Sequence, residues 1–381
     1  MTADLSTFSF PTTIRFGAGA VDELPDVLAR AGVSRPLLVT DVGVSPLPFF
    51  AAIVERLDGA GLAPATFDSV VGNPVVAQVT AGVEAYRAHG ADAIVGVGGG
   101  AALDVAKAIG VMATHDGDLF DYEDEVPGAR PIEDRIPYFV AVPTTAGTGS
   151  EVGRSAVIAD DAHIKRIVFS PHLLAKVVLA DPALTVGLPP HITAATGLDA
   201  LTHNIEAYLA RHYHPICDGI ALEGLRLGAA NLARAVAEPT DLDARGAMLL
   251  SSMMGAIAFQ KGLGLVHSCA HALGTAVDMH HGLANGVMID HALAFNVEVV
   301  PERFATMAVT VGLDDTSPSG FLQWLAGLKA TVGVPAGLEA AGVGGDRVGE
   351  LAALAIADAC WPNGPRDCTE ADFVAIFERA L

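Results

Sequence analysis

Short apolar runs alternate with helical periodicity over the first 187 residues of this chain, and then the alternation stops. Residues 36–40, 65–71, 93–97 and 138–142 read as strands, and 21–31, 49–59, 75–89 and 102–112 as the helices between them. Residues 8–16 are β-rich, and 154–159, 164–169 and 176–180 look like further strands. This alternation is the mark of βαβ units, which impose a parallel sheet with helices on its faces. Such a sheet takes its ligands beyond the carboxyl ends of its strands. Gly and Pro cluster at 186–190, and from 188 onward helical patterns follow one another, from 192–210 through 264–279 and 281–296 to 370–380. The expectation is an α/β domain over 1–187 and an all-helical domain over 188–381.

Composition removes several classes of function. A formal charge of −22 over 381 residues makes nucleic acid and anionic membrane poor partners. No apolar run is long enough to span a bilayer. Residues 1–11 lack the basic and apolar segments of a secretion signal. Cys217, Cys269, Cys360 and Cys368 form no C-x-x-C and no disulfide-like framework, and they fit reduced thiols. A soluble cytoplasmic protein acting on small molecules is expected.

Three features of the first domain suggest a nucleotide. Gly98-Gly99-Gly100 follows the strand at 93–97 and opens the next helix. Glycines there let the backbone approach a pyrophosphate at the helix N-terminus, although a tight structural turn explains three glycines equally well. The usual G-x-G-x-x-G after the first strand is missing, so a standard Rossmann domain is disfavoured. Asp41 ends the strand at 36–40, where a carboxylate accepts ribose hydroxyls and repels a 2′-phosphate, favouring NAD over NADP; it also suits an ordinary turn or helix cap. Finally, Pro143 to Glu151 is a run of hydroxyls and glycines after a buried strand, as in a polar ligand loop.

The second domain carries metal-ligand chemistry. Asp199 and His203 are four apart, as are His267 and His271. On a helix this spacing places both side chains on one face. With His281, one carboxylate and two or three imidazoles can converge on a divalent first-row metal with a position left for substrate.

Taken together these motifs resemble the iron-containing, group III alcohol dehydrogenases over essentially the whole chain. Phe16-Gly17-Ala18-Gly19-Ala20 is similar to the family's F-G-x-G-x, and Gly98 to Lys107 to its G-G-G-S-x-x-D-x-A-K. Pro143 to Glu151 resembles P-T-T-A-G-T-G-S-E, and Asp181 to Thr185 resembles D-P-x-L-T. Gly197 to Tyr208 resembles G-x-D-A-L-T-H-x-I-E-A-Y, His267 to His271 resembles H-x-x-A-H, and His281 to Asn285 resembles H-G-x-A-N. Asn363 to Arg366 is similar to N-P-R with one residue inserted. Ala101 stands where the family has Ser, and Asp290 where it often has Pro.

The resemblance implies a dinucleotide-binding α/β domain and a helical catalytic domain, an architecture shared with dehydroquinate synthases, with the active site in a cleft between them and homodimers or larger homo-oligomers common. It implies Asp199, His203, His267 and His281 as ligands of Fe(II), with Zn, Ni or Co also suited to the set. His271 is then a non-ligand and a candidate proton relay. Gly98, Gly99, Gly100, Asp41, Asp104, Thr144, Thr145, Thr148 and Lys165 are the implied cofactor contacts. Val152, Phe259, Leu263 and Cys360 are candidates for an apolar substrate pocket. Arg154 could meet a substrate carboxylate, or simply face solvent or an acid. The implied reaction interconverts a short-chain primary alcohol, diol or hydroxy acid and its aldehyde by hydride transfer from a metal-bound alkoxide to NAD. A hydroxyacid–oxoacid transhydrogenase, a dehydroquinate synthase-like lyase and a metallohydrolase are the alternatives.

Overall fold

The computed structural model describes residues 12–124, 126–161 and 164–381. The first part of the strand expected at 8–16, and the segment read for a leader, lie outside the described residues. The chain divides into two compact units. One is Pro11–Thr145 with Gly149–Val186, and the other holds Ala146–Thr148 and Gly187–Leu381.

The first unit runs β1 (Thr13–Phe16), α1 (Leu24–Arg30), β2 (Pro36–Asp41), α2 (Pro48–Gly59), β3 (Ala65–Val70), α3 (Val76–His89), β4 (Ala93–Gly98), α4 (Gly100–Thr114), β5 (Tyr138–Pro143), β6 (Ser155–Ala159), β7 (Lys165–Phe169) and β8 (Val177–Ala180). Six of the strands form a parallel sheet in the order β1-β8-β5-β4-β2-β3. Every residue of β4 is buried, as expected of a strand covered on both faces. The helix expected at 21–31 opens as a 3-10 turn, Ala20–Glu23, and becomes α-helical only from Leu24. Pro25 follows at once, a residue that fits the first turn of a helix and not its interior.

Strands β6 and β7 stand apart from this sheet as an antiparallel ribbon. The connection between them is too short for a crossover, which leaves only a hairpin.

The strand order explains the displaced glycines. From β2 the chain steps outward to β3, then crosses back to β4 on the other side of β2. The carboxyl ends of β2 and β4 therefore flank the point where the winding reverses, which is where open α/β sheets bind ligands. Asp41 ends one of these strands and Gly98 the other.

The second unit is helical: α5 (Pro190–Leu209), α6 (Pro215–Ala237), α7 (Leu242–Ala258), α8 (Leu265–Val277), α9 (His281–Leu293), α10 (Pro301–Thr310), α11 (Pro318–Thr331), α12 (Val348–Ile356) and α13 (Glu370–Arg379). Helix α5 is buried on nearly every side and packs on α6, α7 and α9. An all-round buried helix is the centre of its domain rather than a surface element. Among the described residues, no single helix is long and apolar enough to cross a membrane.

Asp290 has a partner. It lies on α9 and accepts a hydrogen bond from Lys329 of α11, a lysine only 2% exposed whose Nζ also donates to the Val287 carbonyl at 2.8 Å. A lone ammonium buried there would be costly, and Asp290 supplies the counter-charge.

Candidate metal centre

Asp199, His203 and Glu206 lie on one face of α5, and all three are buried. His267 comes from the first turn of α8, and His281 is the first residue of α9. Asp199, His203, His267 and His281 each present one ligand atom, and the four atoms lie within 4.8 Å of one another. The Asp199 Oδ1 atom is 4.0 Å from His203 Nε2 and 3.6 Å from His281 Nε2. Two donors each about 2.1 Å from a tetrahedral metal are separated by roughly 3.4 Å, so the set needs little adjustment to close on an ion.

The protein fixes the ligands from behind. His267 Nδ1 is 2.6 Å from Glu206 Oε2, so its ring N–H donates to the carboxylate and Nε2 is left for a metal. The same carboxylate accepts from the backbone N–H of Val266 at 2.7 Å and of His267 at 3.3 Å. These belong to the open N-terminal turn of α8, where a negative charge is favourable. Gly264 permits this approach, because a Cβ there would lie 2.8 Å from Glu206 Oε1. The Asn285 amide donates to Asp199 Oδ1 at 2.7 Å, and its nitrogen lies 3.2 Å from His281 Nε2 and 3.4 Å from His267 Nε2.

The donor set fits a divalent cation. Burial lowers the His203 pKa to about 4, against the pull of Asp199, so the imidazole is neutral near pH 7. It therefore cannot serve as the counter-charge for Asp199. A buried carboxylate and three imidazoles converge, an arrangement a divalent ion satisfies.

His271 stays outside this set. Its ring is a quarter exposed and stacks on His281, with centroids 5.4 Å apart. Its Nδ1 is 2.7 Å from Asp358 Oδ2. The other Asp358 oxygen accepts from Ser268 Oγ at 2.6 Å and from the Cys360 N–H at 2.8 Å. Burial alone would raise the Asp358 pKa, but His271 and these hydrogen bonds hold it well below the usual carboxylate range. Phe259 reaches the centre, its ring 5.2 Å from that of His203. Leu263, between α7 and α8, and Cys360, after α12, are half-buried in the same unit. Val152 and Arg154 belong to the α/β unit, where Val152 is buried and the Arg154 guanidinium lies over the Phe169 ring.

At the reversal point of the sheet, Asp41 combines two roles. Its Oδ1 accepts from the N–H groups of Gly43 and Val44 at 2.9 and 3.0 Å, as a turn residue does. Its Oδ2 faces Gly98, where a Cβ would come within 3.1 Å of it and within 2.6 Å of Ala102 Cβ. Gly99 caps α4 and lies against Thr145, Gly100 is the first residue of that helix, and Thr144 N–H donates to Gly98 O at 3.0 Å. The three glycines thus bring the N-terminus of α4 to the carboxyl edge beside Asp41. Thr148 groups with the helical unit, and Lys165 opens β7.

Asp104 is turned inward. Its oxygens accept from Ser150 Oγ and from Val157 N–H, and Lys107 Nζ donates to Ser150 O and Ser155 O at 2.7 and 2.8 Å. This buried pair secures the segment after the glycine–threonine loop. Glu151 is buried beside it with an Oε1 that finds no hydrogen-bond partner, and burial pushes its pKa up to about 7.

Glu206, Asn285 and Asp358 were not among the candidates read from the sequence. Glu206 had a signal, three residues beyond His203 on the same helical face, and Asn285 had one four residues beyond His281. Asp358 had none, since it is 87 residues from the histidine it orients.

A family model for iron-containing alcohol dehydrogenases matches residues 11–182, and one for the C-terminal domain of that family matches 193–381. The chain is 40% identical to 4-hydroxybutyrate dehydrogenase of Cupriavidus necator over 97% of its own length and 98% of the relative's. Its structure resembles that of a 1,3-propanediol oxidoreductase with a TM-score of 0.93 and 36% identity, covering 99% of this chain and 100% of the other. It also resembles sulfoacetaldehyde reductase from Bifidobacterium kashiwanohense in complex with NAD+, at a TM-score of 0.91 and 28% identity over 99% of both chains. The protein is thus an oxidoreductase of the metal-dependent dehydrogenase type. It belongs to the iron-containing alcohol dehydrogenase family.

Proposed function

We propose that this enzyme interconverts a short-chain primary alcohol, diol or hydroxy acid and its aldehyde with NAD(H), using Fe(II) held by Asp199, His203, His267 and His281. The observation that carries the reading is the convergence of those four donors within 4.8 Å. When bound, the metal supplies a Lewis acid that polarises the substrate oxygen. Glu206 keeps the His267 ring proton on Nδ1, and Asn285 fixes the Asp199 carboxylate. Asp358 accepts from His271 Nδ1, so His271 Nε2 takes up or returns the substrate proton toward solvent. Gly98, Gly99 and Gly100 hold the pyrophosphate at the N-terminus of α4, with Thr144, Thr145 and Lys165 as further contacts. Asp41 Oδ2 accepts the ribose hydroxyls and disfavours a 2′-phosphate, so NAD is used rather than NADP. Phe259, Leu263 and Cys360 line the apolar part of the substrate site.

Similarity to a 4-hydroxybutyrate dehydrogenase supports a short ω-hydroxy acid. We infer a cytoplasmic homo-oligomer from the reduced cysteines and the family resemblance.

The test is anaerobic NADH oxidation by Fe(II)-loaded protein with two- to four-carbon aldehydes, including lactaldehyde and succinic semialdehyde. Turnover that His267→Ala abolishes supports the reading, and the panel ranks substrates. NADH binding without net oxidation of any aldehyde points instead to a cofactor that is recycled in place, as in a transhydrogenase.

A further inference from the structure

Beside the four-residue cluster lies a second group of potential ligands. His271, Asp358 and Cys360 each present one ligand atom, and these three atoms also lie within 4.8 Å of one another. Three members of the first cluster are buried and one, His281, is 23% exposed, whereas every member of this group is partly exposed: the side chains of His271 and Asp358 by 25% and 18%, with Cys360 half-buried. It is also held in place. Ser268 Oγ and the Cys360 N–H both donate to Asp358 Oδ1, which leaves Oδ2 directed at His271 Nδ1, 2.7 Å away.

We propose that His271, Asp358 and Cys360 form a second, zinc-selective site, and that zinc bound there arrests turnover. The geometry needs little change. Bonds of about 2.0–2.1 Å in a tetrahedral site set N and O roughly 3.3 Å apart. Zinc therefore replaces the proton between His271 Nδ1 and Asp358 Oδ2 once that pair opens by about half an ångström. The Cys360 thiolate takes a third vertex, and solvent the fourth. A nitrogen, an oxygen and a thiolate favour Zn(II), whereas the sulfur-free cluster of Asp199 and three imidazoles also suits Fe(II). Charge permits both ions. The thiolate and Asp358 neutralise the second, and the His271 ring centroid stands 5.4 and 6.0 Å from those of His281 and His267. Zinc at this position occupies His271 and Cys360 together. The inhibitory effect rests on the function proposed above, because it requires His271 to move the substrate proton; the zinc binding does not.

The test uses enzyme already loaded at the four-residue cluster, with Zn(II) and Co(II) as probes. One further equivalent of zinc per chain is expected to remain bound after dialysis while the first metal stays at full occupancy. Co(II) added instead is expected to give a near-ultraviolet thiolate-to-metal band, which reports this site alone because the first cluster contains no sulfur. Cys360→Ser and Cys360→Ala are expected to lose the band and to weaken the second zinc at least tenfold. Circular dichroism and unchanged occupancy of the first metal establish that the variants are folded. A band that persists in both folded variants, no second equivalent of zinc, or zinc that merely displaces the first metal would overturn the site. Full activity with the second zinc bound would overturn the arrest of turnover. An enzyme without turnover before zinc is added would instead count against the proposed reaction, with the band and stoichiometry still deciding the site.

Discussion

Glu206→Gln probes the carboxylate that holds His267 from behind. The carboxylate accepts three hydrogen bonds, at 2.7, 3.3 and 2.6 Å, from Val266 N, His267 N and His267 Nδ1. Glutamine keeps one acceptor oxygen and the same length. It removes the charge and places an amide N–H2 opposite one of the donors. A carboxylate that orients a ligand imidazole contributes about 10–100-fold to metal affinity, or about 1.4–2.7 kcal/mol. Loss of the negative charge at the N-terminus of α8 costs about 0.3–1 kcal/mol, and the unpaired N–H about 1 kcal/mol or more. The metal-free variant should therefore be less stable by roughly 1–2 kcal/mol. Its metal Kd should rise by about one to two orders of magnitude. Competition with a chelator of known affinity measures the first, and urea unfolding of the metal-free protein the second. A Kd within about threefold of the parent, with stability reduced, would refute the orienting role and leave Glu206 as a helix cap only.

Asp290→Ala strands a buried ammonium and should cost about 3 kcal/mol in urea unfolding, most of it recovered by Asp290→Ala with Lys329→Met. Glu151 has its folded pKa raised to about 7 from 4.5, so its contribution is intact below pH 4.5 and is lost as pH rises through 7. Glu151→Gln should accordingly raise the Tm at pH 8, where the charged form costs on the order of 3 kcal/mol, and change it little at pH 5. Asp41→Ser should raise kcat/KM for NADPH relative to NADH by about tenfold or more, because the repulsion of a 2′-phosphate is removed while Oγ retains an acceptor for the turn. Removal of the metal should lower the Tm, and titrating it back to a hundredfold above its Kd should restore about 2.7 kcal/mol, read by thermal unfolding across metal concentrations.

Much of this was legible in the sequence because two periodicities report burial directly. Strand-length apolar runs separated by helices dictated the parallel sheet, and i, i+4 spacing placed Asp199 with His203 on one face of α5. The glycines after the third βα strand looked misplaced only while strand order was unknown. Once β4 is set beside β2, they face Asp41 across the reversal point. What was hidden depended on contacts distant in the chain. The short link between the strands at 154–159 and 164–169 makes a hairpin legible, but nothing near them says that this pair stands apart from the parallel sheet. Asp104 sits in a cofactor motif, yet its partners Ser150 and Val157 lie 46 and 53 residues away and turn it inward. Asp290 read as an unexplained charge until Lys329, 39 residues on, supplied its partner.

The burial pattern at the metal centre also follows from charge. A divalent ion held by Asp199 and three neutral imidazoles, as proposed, would carry a net charge near +1. Glu206, 2.6 Å behind His267, brings the whole assembly close to neutral, so it can be enclosed without a large desolvation cost. Remove the ion, and two buried carboxylates remain on one face of α5. His203 cannot offset them, since its folded pKa lies at about 4. The ion that Asp199 and the imidazoles would hold is also the charge that would balance the buried carboxylates. Metal affinity and the stability of α5, α8 and α9 are therefore one coupled quantity.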